Sequence, residues 1–215
     1  MLYCSPHDFA PHHPAFAYFG GLPGTAGLEA DDFGHWLQVG GGQMLWDDLA
    51  AESGWKPLLA GHMGTAPPLW SRAPIERLAD LAGMPLAVGG LGADVARALG
   101  AEPHNLTPDA ALNALRDGSV QAGEVGGLLT SLGLGAGRRA AYAYAPGLNG
   151  RGTALALHVR LDVWDQLSDA DRAIFTAAAA EEFHTALAEA RAHARIARQT
   201  LTRSFGVTFA PWPED

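Results

Sequence analysis

The 215-residue chain contains one cysteine, Cys4. A lone cysteine excludes an internal disulfide and any metal centre built on cysteine ligands. The chain has no uninterrupted run of the ~18 apolar residues that a membrane-crossing helix needs. Its opening, MLYCSPHDFAPHHPAF, lacks the basic stretch followed by an apolar stretch that marks a secretory signal. Clustered positive charge is missing too. Lys plus Arg number 14 against 23 Asp plus Glu, for a formal charge of -9, and the densest basic stretch, Arg191 to Arg203, is spaced along a helical pattern. Such a chain repels phosphate backbones, so nucleic acid is excluded as the expected partner. No Walker loop, G-x-S-x-G, H-x-x-x-H or ordered Ser/His/Asp set stands in a proper context. The scattered acids and histidines define no catalytic set, and the expectation is a protein that is not an enzyme.

What is present is ordinary globular material, 48% hydrophobic and 17% charged, enough for a real core. Residues 1–14 are rich in Pro and His and read as an irregular leader. His7, His12 and His13 in it read as a mobile tail rather than a metal site. Ala15 to Phe19 is a strand candidate. Glu29 to Leu37 and Gln43 to Glu52 read as helices. The first turns Phe33, Trp36 and Leu37 to one face; the second turns Met44, Leu45 and Leu49 inward and Asp47 and Asp48 outward. Trp55 to Ala60 is a strand, and Met63 to Pro74 a loop. Met84 to Val88 is a buried strand closed by Gly89-Gly90, with a helix following from Ala93 to Leu99. Thr107-Pro108 makes an N-cap with proline in the first turn of a helix that ends at Gly118. Val120 to Gly123, Ala140 to Ala145, Thr153 to Val159 and Gly206 to Ala210 are further strands. Strands alternating with helices give an α/β fold.

The longest pattern starts at Ser168 with Asp171, a capping pair, and runs to about Ser204. Unbroken, it makes a helix of roughly 36 residues, ~54 Å long. Phe183, Leu187, Ala190, Ala194, Ala197 and Leu201 form its apolar stripe. Acids lie in its first half and arginines in its second, an order that suits the helix dipole. A helix of this length braces more than one lobe or packs on a second chain. A homodimer through it is expected, with contacts at Phe183, Leu187, Ile196 and Leu201 and close approach at Ala190, Ala194 and Ala197.

Several segments, in order, resemble the solute-binding proteins of TRAP (tripartite ATP-independent periplasmic) transporters. Pro74-Ile75 and Leu78 to Met84 look like the family's "PI, short spacer, DLKG". Leu86 to Gly92 looks like its strand and glycine loop, and Leu99 to Pro103 like its "LGA-x-P". ALNALRDGSVQAG, residues 111–123, looks like its "Y-x-ALQ-x-GVVDG", with Glu124 next. VWDQLSDADRAI, residues 163–174, looks like its "W-x-x-L-s-x-x-q-x-x-I". The segment from Pro14 to Leu49 is similar to the branch that binds 2-oxo and other carboxylic acids.

The resemblance implies a partial type II periplasmic-binding-protein architecture with a long C-terminal helix. Its divisions would be the leader 1–14, a body 15–167, a bracing or dimerising helix 168–204, and a terminal strand and tail 205–215. It implies a periplasmic protein that closes two lobes on a small organic acid, without chemistry or a cofactor proper, and that works with TRAP membrane subunits. Family members are longer at the front by roughly a hundred residues, which would carry the first βαβ units of one lobe and the export signal.

The candidate site residues follow from the same comparison. The family's carboxylate-clamping Arg falls on Ala87, and a Gln of the oxo-acid branch falls near Ala66. That branch's Glu-Trp pair falls on Glu124-Val125; Glu124 is then a retained polar contact and candidate ligand for a monovalent cation, or else a solvated turn carboxylate. The "Y-x-P-G-W" segment becomes Tyr144 to Leu148, which adds Tyr144 and the adjacent Asn149. Trp36, Trp46, Trp55 and Trp70 are aromatic candidates for a pocket wall or for the core. Trp70, in the Pro-rich loop, is the pocket candidate of choice. Gly89, with Gly90 and Gly92, cradles an anion or simply makes a tight strand-to-helix turn. An Arg holds a carboxylate by paired, charge-assisted bonds that alanine cannot replace. Loss of such a clamp costs ~2–5 kcal/mol, so weak or no binding of pyruvate-like acids is expected unless Arg72 or Arg151 supplies the charge. The alternative readings are an interaction or oligomerisation module that has lost its ligand, and a non-functional fragment of a longer gene.

Overall fold

A computed structural model describes residues 1–23, 27–64, 67–150 and 152–214. The elements in chain order are β1 (Leu2–Cys4), α1 (Phe16–Gly20), α2 (Ala30–Val39), α3 (Gly42–Ala51), β2 (Trp55–His62), β3 (Leu69–Ser71) and β4 (Pro85–Ala87). Then follow α4 (Gly90–Ala98), β5 (Glu102–His104), α5 (Pro108–Asp117), β6 (Ala122–Glu124), α6 (Leu128–Gly133) and β7 (Tyr142–Tyr144). The chain continues with β8 (Ala154–Arg160), α7 (Leu161–Gln166), α8 (Asp169–Phe205) and β9 (Thr208–Ala210). They form two compact units. Unit 1 holds residues 1–21, 28–64 and 153–190; unit 2 holds 22–27, 65–152 and 191–215.

Unit 1 is built on a three-stranded antiparallel sheet ordered β1-β8-β2. β8 lies in the middle because its sequence, ALALHVR, buries Ala154, Ala156, His158 and Val159. Its core gathers Phe9, Phe16, Phe19, Phe33, Leu37, Trp46, Phe183 and Leu187. The leader is part of this body, contrary to the sequence reading. Leu2, Tyr3 and Cys4 pair with His158, Leu157 and Ala156, and a 3-10 turn at Pro6–Phe9 drives Phe9 into the core. Pro and His signal irregular backbone only when nothing packs on them; here a strand partner and a buried ring decide. His7 is mostly enclosed rather than mobile, and burial pushes its pKa down. Ala15 to Phe19 is helical, not extended, so Phe16 and Phe19 reach the same core.

In α3 the inward face is Trp46 and Ala50, while Met44 and Leu45 are 70% and 59% exposed. Of the expected inward set, Leu49 does pack on this core, but Met44 and Leu45 give way to Trp46, the largest apolar side chain of the helix. Asp47 does stay near the surface, paired with Lys56.

Unit 2 is built on a six-stranded mixed sheet ordered β5-β4-β6-β3-β7-β9. β4 runs parallel to both β5 and β6, and β3 runs antiparallel to β6 and β7. The stretch read as loop, Met63 to Pro74, thus contains a central strand; its prolines flank β3 rather than break it. α5 forms as its sequence specifies. Thr107 Oγ1 accepts from the Ala110 N–H at 3.4 Å, Pro108 opens the helix, and Gly118 closes it at φ +86°.

α8 starts at the expected cap, where Ser168 Oγ accepts from the Asp171 N–H at 3.2 Å. Its apolar stripe serves two cores of the same chain. Phe183 and Leu187 lie in the core of unit 1, and Leu201 in the core of unit 2. Of the residues expected at a dimer contact, Phe183, Leu187 and Leu201 are buried this way, as are Ala194 and Ala197; Ile196 is 54% exposed. The buried residues of the stripe are thus internal packing, and Ile196 alone of the four expected contacts stays exposed.

Candidate functional site

The polar site lies at one edge of the unit 2 sheet. β4 and β6 are parallel, with Ala87 beside Gly123, so their carboxyl ends share that edge. β3 begins there, since Leu69 is paired with both Glu124 and Tyr144, the last residues of β6 and β7. Loops leaving the carboxyl ends of neighbouring parallel strands are where open α/β sheets present ligand groups. Here these are Gly89 after β4, Glu124 at the end of β6, and the segment 145–150 after β7.

The half-buried Glu124 carboxylate is held by this last segment. Oε1 accepts the Asn149 backbone N–H at 3.1 Å, and Oε2 accepts the Asn149 side-chain Nδ2–H at 2.8 Å. Burial pushes the Glu124 carboxyl above the usual carboxylate range, opposed by the Asn149 bonds and a bond from the Leu148 N–H. Asn149 Nδ2 also donates to the Gly89 carbonyl at 3.1 Å, and Asn149 Oδ1 accepts the Gly92 N–H, in the first turn of α4, at 2.8 Å. One carboxamide therefore ties three loops together.

Glycines make this approach possible. A Cβ on Gly147 would fall 2.4 Å from Glu124 Oε1 and 2.5 Å from the Pro67 carbonyl oxygen, which already accepts the Gly147 N–H at 2.9 Å. A Cβ on Gly92 would fall 2.7 Å from the Asn149 carboxamide. Gly147 and Pro67 carry this geometry without having been singled out as site residues, whereas Gly92 had been named with Gly89 and Gly90. The legible signals were the third glycine after β4 and the Pro146-Gly147 pair.

Of the expected site residues, the structure brings Glu124, Asn149 and Gly89 together. The other three are core residues. Trp70 has no exposed surface, packs with Leu112, Leu115 and Val125, and donates its indole N–H to Ser131 Oγ at 3.1 Å. It is not a pocket wall, because β3 is a central strand and both its faces are covered. Tyr144 is 2% exposed, and its hydroxyl accepts the Ile75 N–H at 2.6 Å. Ala87 is also 2% exposed and packs among Ala111, Leu112 and Leu115.

Arg72 does not supply the missing charge. It follows β3 at the opposite end from Leu69, and its N–H bonds the Gln121 carbonyl at 3.2 Å. It lines an open recess of about 480 Å³ with Ser71, Pro74, Met84 and Gly118. Arg151 and Ala66 lie outside the described residues. Among the described residues no group of three or more His, Cys, Asp and Glu gathers to hold a metal ion.

Residues 24–214 match the sequence profile of the bacterial extracellular solute-binding proteins, family 7. A monocarboxylate 2-oxoacid-binding periplasmic protein of Nostoc sp. is 29% identical over 177 residues, 79% of this chain and 49% of that protein. A TRAP transporter solute-binding protein of Bordetella bronchiseptica, solved as a mixed-occupancy dimer with calcium and picolinate, superposes with a TM-score of 0.90 at 27% identity. The superposition covers 99% of this chain and 62% of that one. The fold is shared with a TRAP periplasmic solute-binding protein of Colwellia psychrerythraea carrying calcium and pyruvate, at a TM-score of 0.91 and 22% identity, over 99% of this chain and 64% of that one. The chain spans about half the length of the curated relative and under two thirds of these structures. It belongs to the bacterial extracellular solute-binding proteins, family 7.

Proposed function

We propose that this chain is solute-binding material of a TRAP-type transporter, acting outside the cytoplasmic membrane with TRAP membrane subunits and taking up small organic acids without chemistry. The observation that carries the reading is the Glu124 carboxylate at the strand edge, tied to the Gly89 loop through Asn149. The relatives supply the ligand class, since solved members hold pyruvate with sodium or with calcium.

The site fits a cation. A carboxylate offers about four lone-pair positions, and three are taken by N–H donors from Asn149 and Leu148. The one left, together with the Oε2 position and the Gly89 carbonyl that Asn149 Nδ2 now bonds, gives the hard oxygen donors that sodium and calcium prefer. A cation held by Glu124 would place positive charge against a bound carboxylate. That supports acid binding where Ala87 stands in place of a clamping arginine.

Calorimetry with small 2-oxo and hydroxy acids, run with and without sodium or calcium, tests the reading. Binding should need the cation, and Glu124→Gln should weaken it by about two decades, the usual cost of removing a charged partner. Cation-independent binding, or binding untouched by Glu124→Gln, would refute the assignment.

A further inference from the structure

The Asn149 carboxamide makes the bonds that an acid and its cation would make. Its Oδ1 takes the Gly92 N–H at 2.8 Å, as a carboxylate oxygen would. Its Nδ2 lies between Glu124 Oε2 at 2.8 Å and the Gly89 carbonyl at 3.1 Å, the two hard oxygens a cation would bridge. The orientation of the amide is fixed by these neighbours. Turned over, it would set NH2 against an N–H and its oxygen against a carboxylate and a carbonyl. The carboxamide is also pressed against the helix, since a Cβ on Gly92 would meet all three of its outer atoms within 2.8 Å.

We propose that Asn149 is a built-in plug: its carboxamide stands in for the acid–cation pair, and it must rotate out before cation and solute enter. This deepens the function proposed above and rests on it. The plug is held by hydrogen bonds alone, so it is displaceable. The backbone need not move, because the Asn149 N–H can keep its own bond to Glu124 Oε1. Apparent affinity is then reduced by the fraction of molecules in which the plug is in place. That adds to the effect of Ala87 and raises the cation and solute concentrations at which the site fills.

The test uses the whole chain and two probes, calcium alone and calcium with pyruvate, read by calorimetry. Asn149→Gly removes the carboxamide and should tighten calcium by at least about tenfold, in line with a site occupied by its own plug most of the time. The double variant with Glu124→Gln should lose the gain. Asn149→Ser, which keeps a short polar side chain, should move in the same direction, and melting curves establish that each variant is folded. If both single variants are folded and calcium binds no more tightly than to the wild type, the plug is overturned. If both bind calcium more weakly, Asn149 is a ligand or positioning contact, and the plug is again overturned. Tighter calcium without pyruvate binding in any variant would uphold the plug and remove the organic-acid reading instead.

Discussion

His158 occupies the middle of β8 with no exposed surface, and neither ring nitrogen has a hydrogen-bond partner among the described residues. Its imidazole lies 4.3 Å from the Phe9 ring, tilted by 31°, and packs edge-on against Trp46 at 6.2 Å. Burial pushes its pKa from 6.5 down to about 4. The folded state therefore favours the neutral ring, and the unfolded chain binds more protons between those values. The stability at stake is fully present above pH 6.5 and is lost as the pH falls toward about 4. The loss should reach about 2 kcal/mol at pH ~5. Urea unfolding at pH ~7 and ~5 should show this drop in the wild type and a smaller one in His158→Leu. Equal drops in both would refute it. Trp70 makes a second prediction at this scale. Trp70→Phe removes the donor to Ser131 Oγ, which keeps its bond to the Gly126 carbonyl, and should cost about 1 kcal/mol, the net worth of one hydrogen bond. An unchanged urea midpoint would contradict that.

At the scale of elements, α8 is where periodicity was most informative and its consequence least so. The 3–4 spacing of Phe183, Leu187, Ala194, Ala197 and Leu201 identified the buried face correctly, and Ser168 its start. Periodicity says that a face is covered but not by what, so the same stripe read as a dimer contact. Its residues instead fill the cores of unit 1 and unit 2. Leu187→Glu with Leu201→Glu should accordingly abolish folding, since each buries an unpaired charge. Circular dichroism and gel filtration decide between this and folded monomers, which would restore the interface reading. The short strands show the opposite failure. β1, β3 and β5 have three residues each, too few for alternation to register, and the sheet partner defines them.

For the whole molecule, the formal charge of -9 is unevenly placed. Unit 1 contains Lys56, Arg160 and Arg172 as its only Lys and Arg, against fourteen Asp and Glu. Each of the three is already paired, with Asp47, Asp162 and Asp169 respectively. The fourteen acids outnumber these cations, and salt screens the repulsion among like charges, the Debye length falling from ~30 Å at ~0.01 M to ~8 Å at ~0.15 M. Thermal melts should rise with sodium chloride over that range and flatten above it. A fall would mean that ion pairs outweigh the excess acid.

Sequence by itself determined what depends on near neighbours along the chain. It specified the α5 and α8 caps at Thr107 and Ser168, the alternation of β8, the α/β class and, through ordered motifs, the family. The same resemblance picked out Glu124, Asn149 and Gly89, by placing them in the order of the family's motifs. Tertiary structure alone decided the rest. Trp70, Tyr144 and Ala87 resemble site residues in one dimension and are core in three, because strands on either side and side chains from distant elements cover them. The contact between Asn149 and both Glu124 and Gly92 joins residues 25 and 57 positions apart. No local pattern encodes a hydrogen bond across that separation; it exists because strand order brings the ends of β4, β6 and β7 to one edge of the sheet.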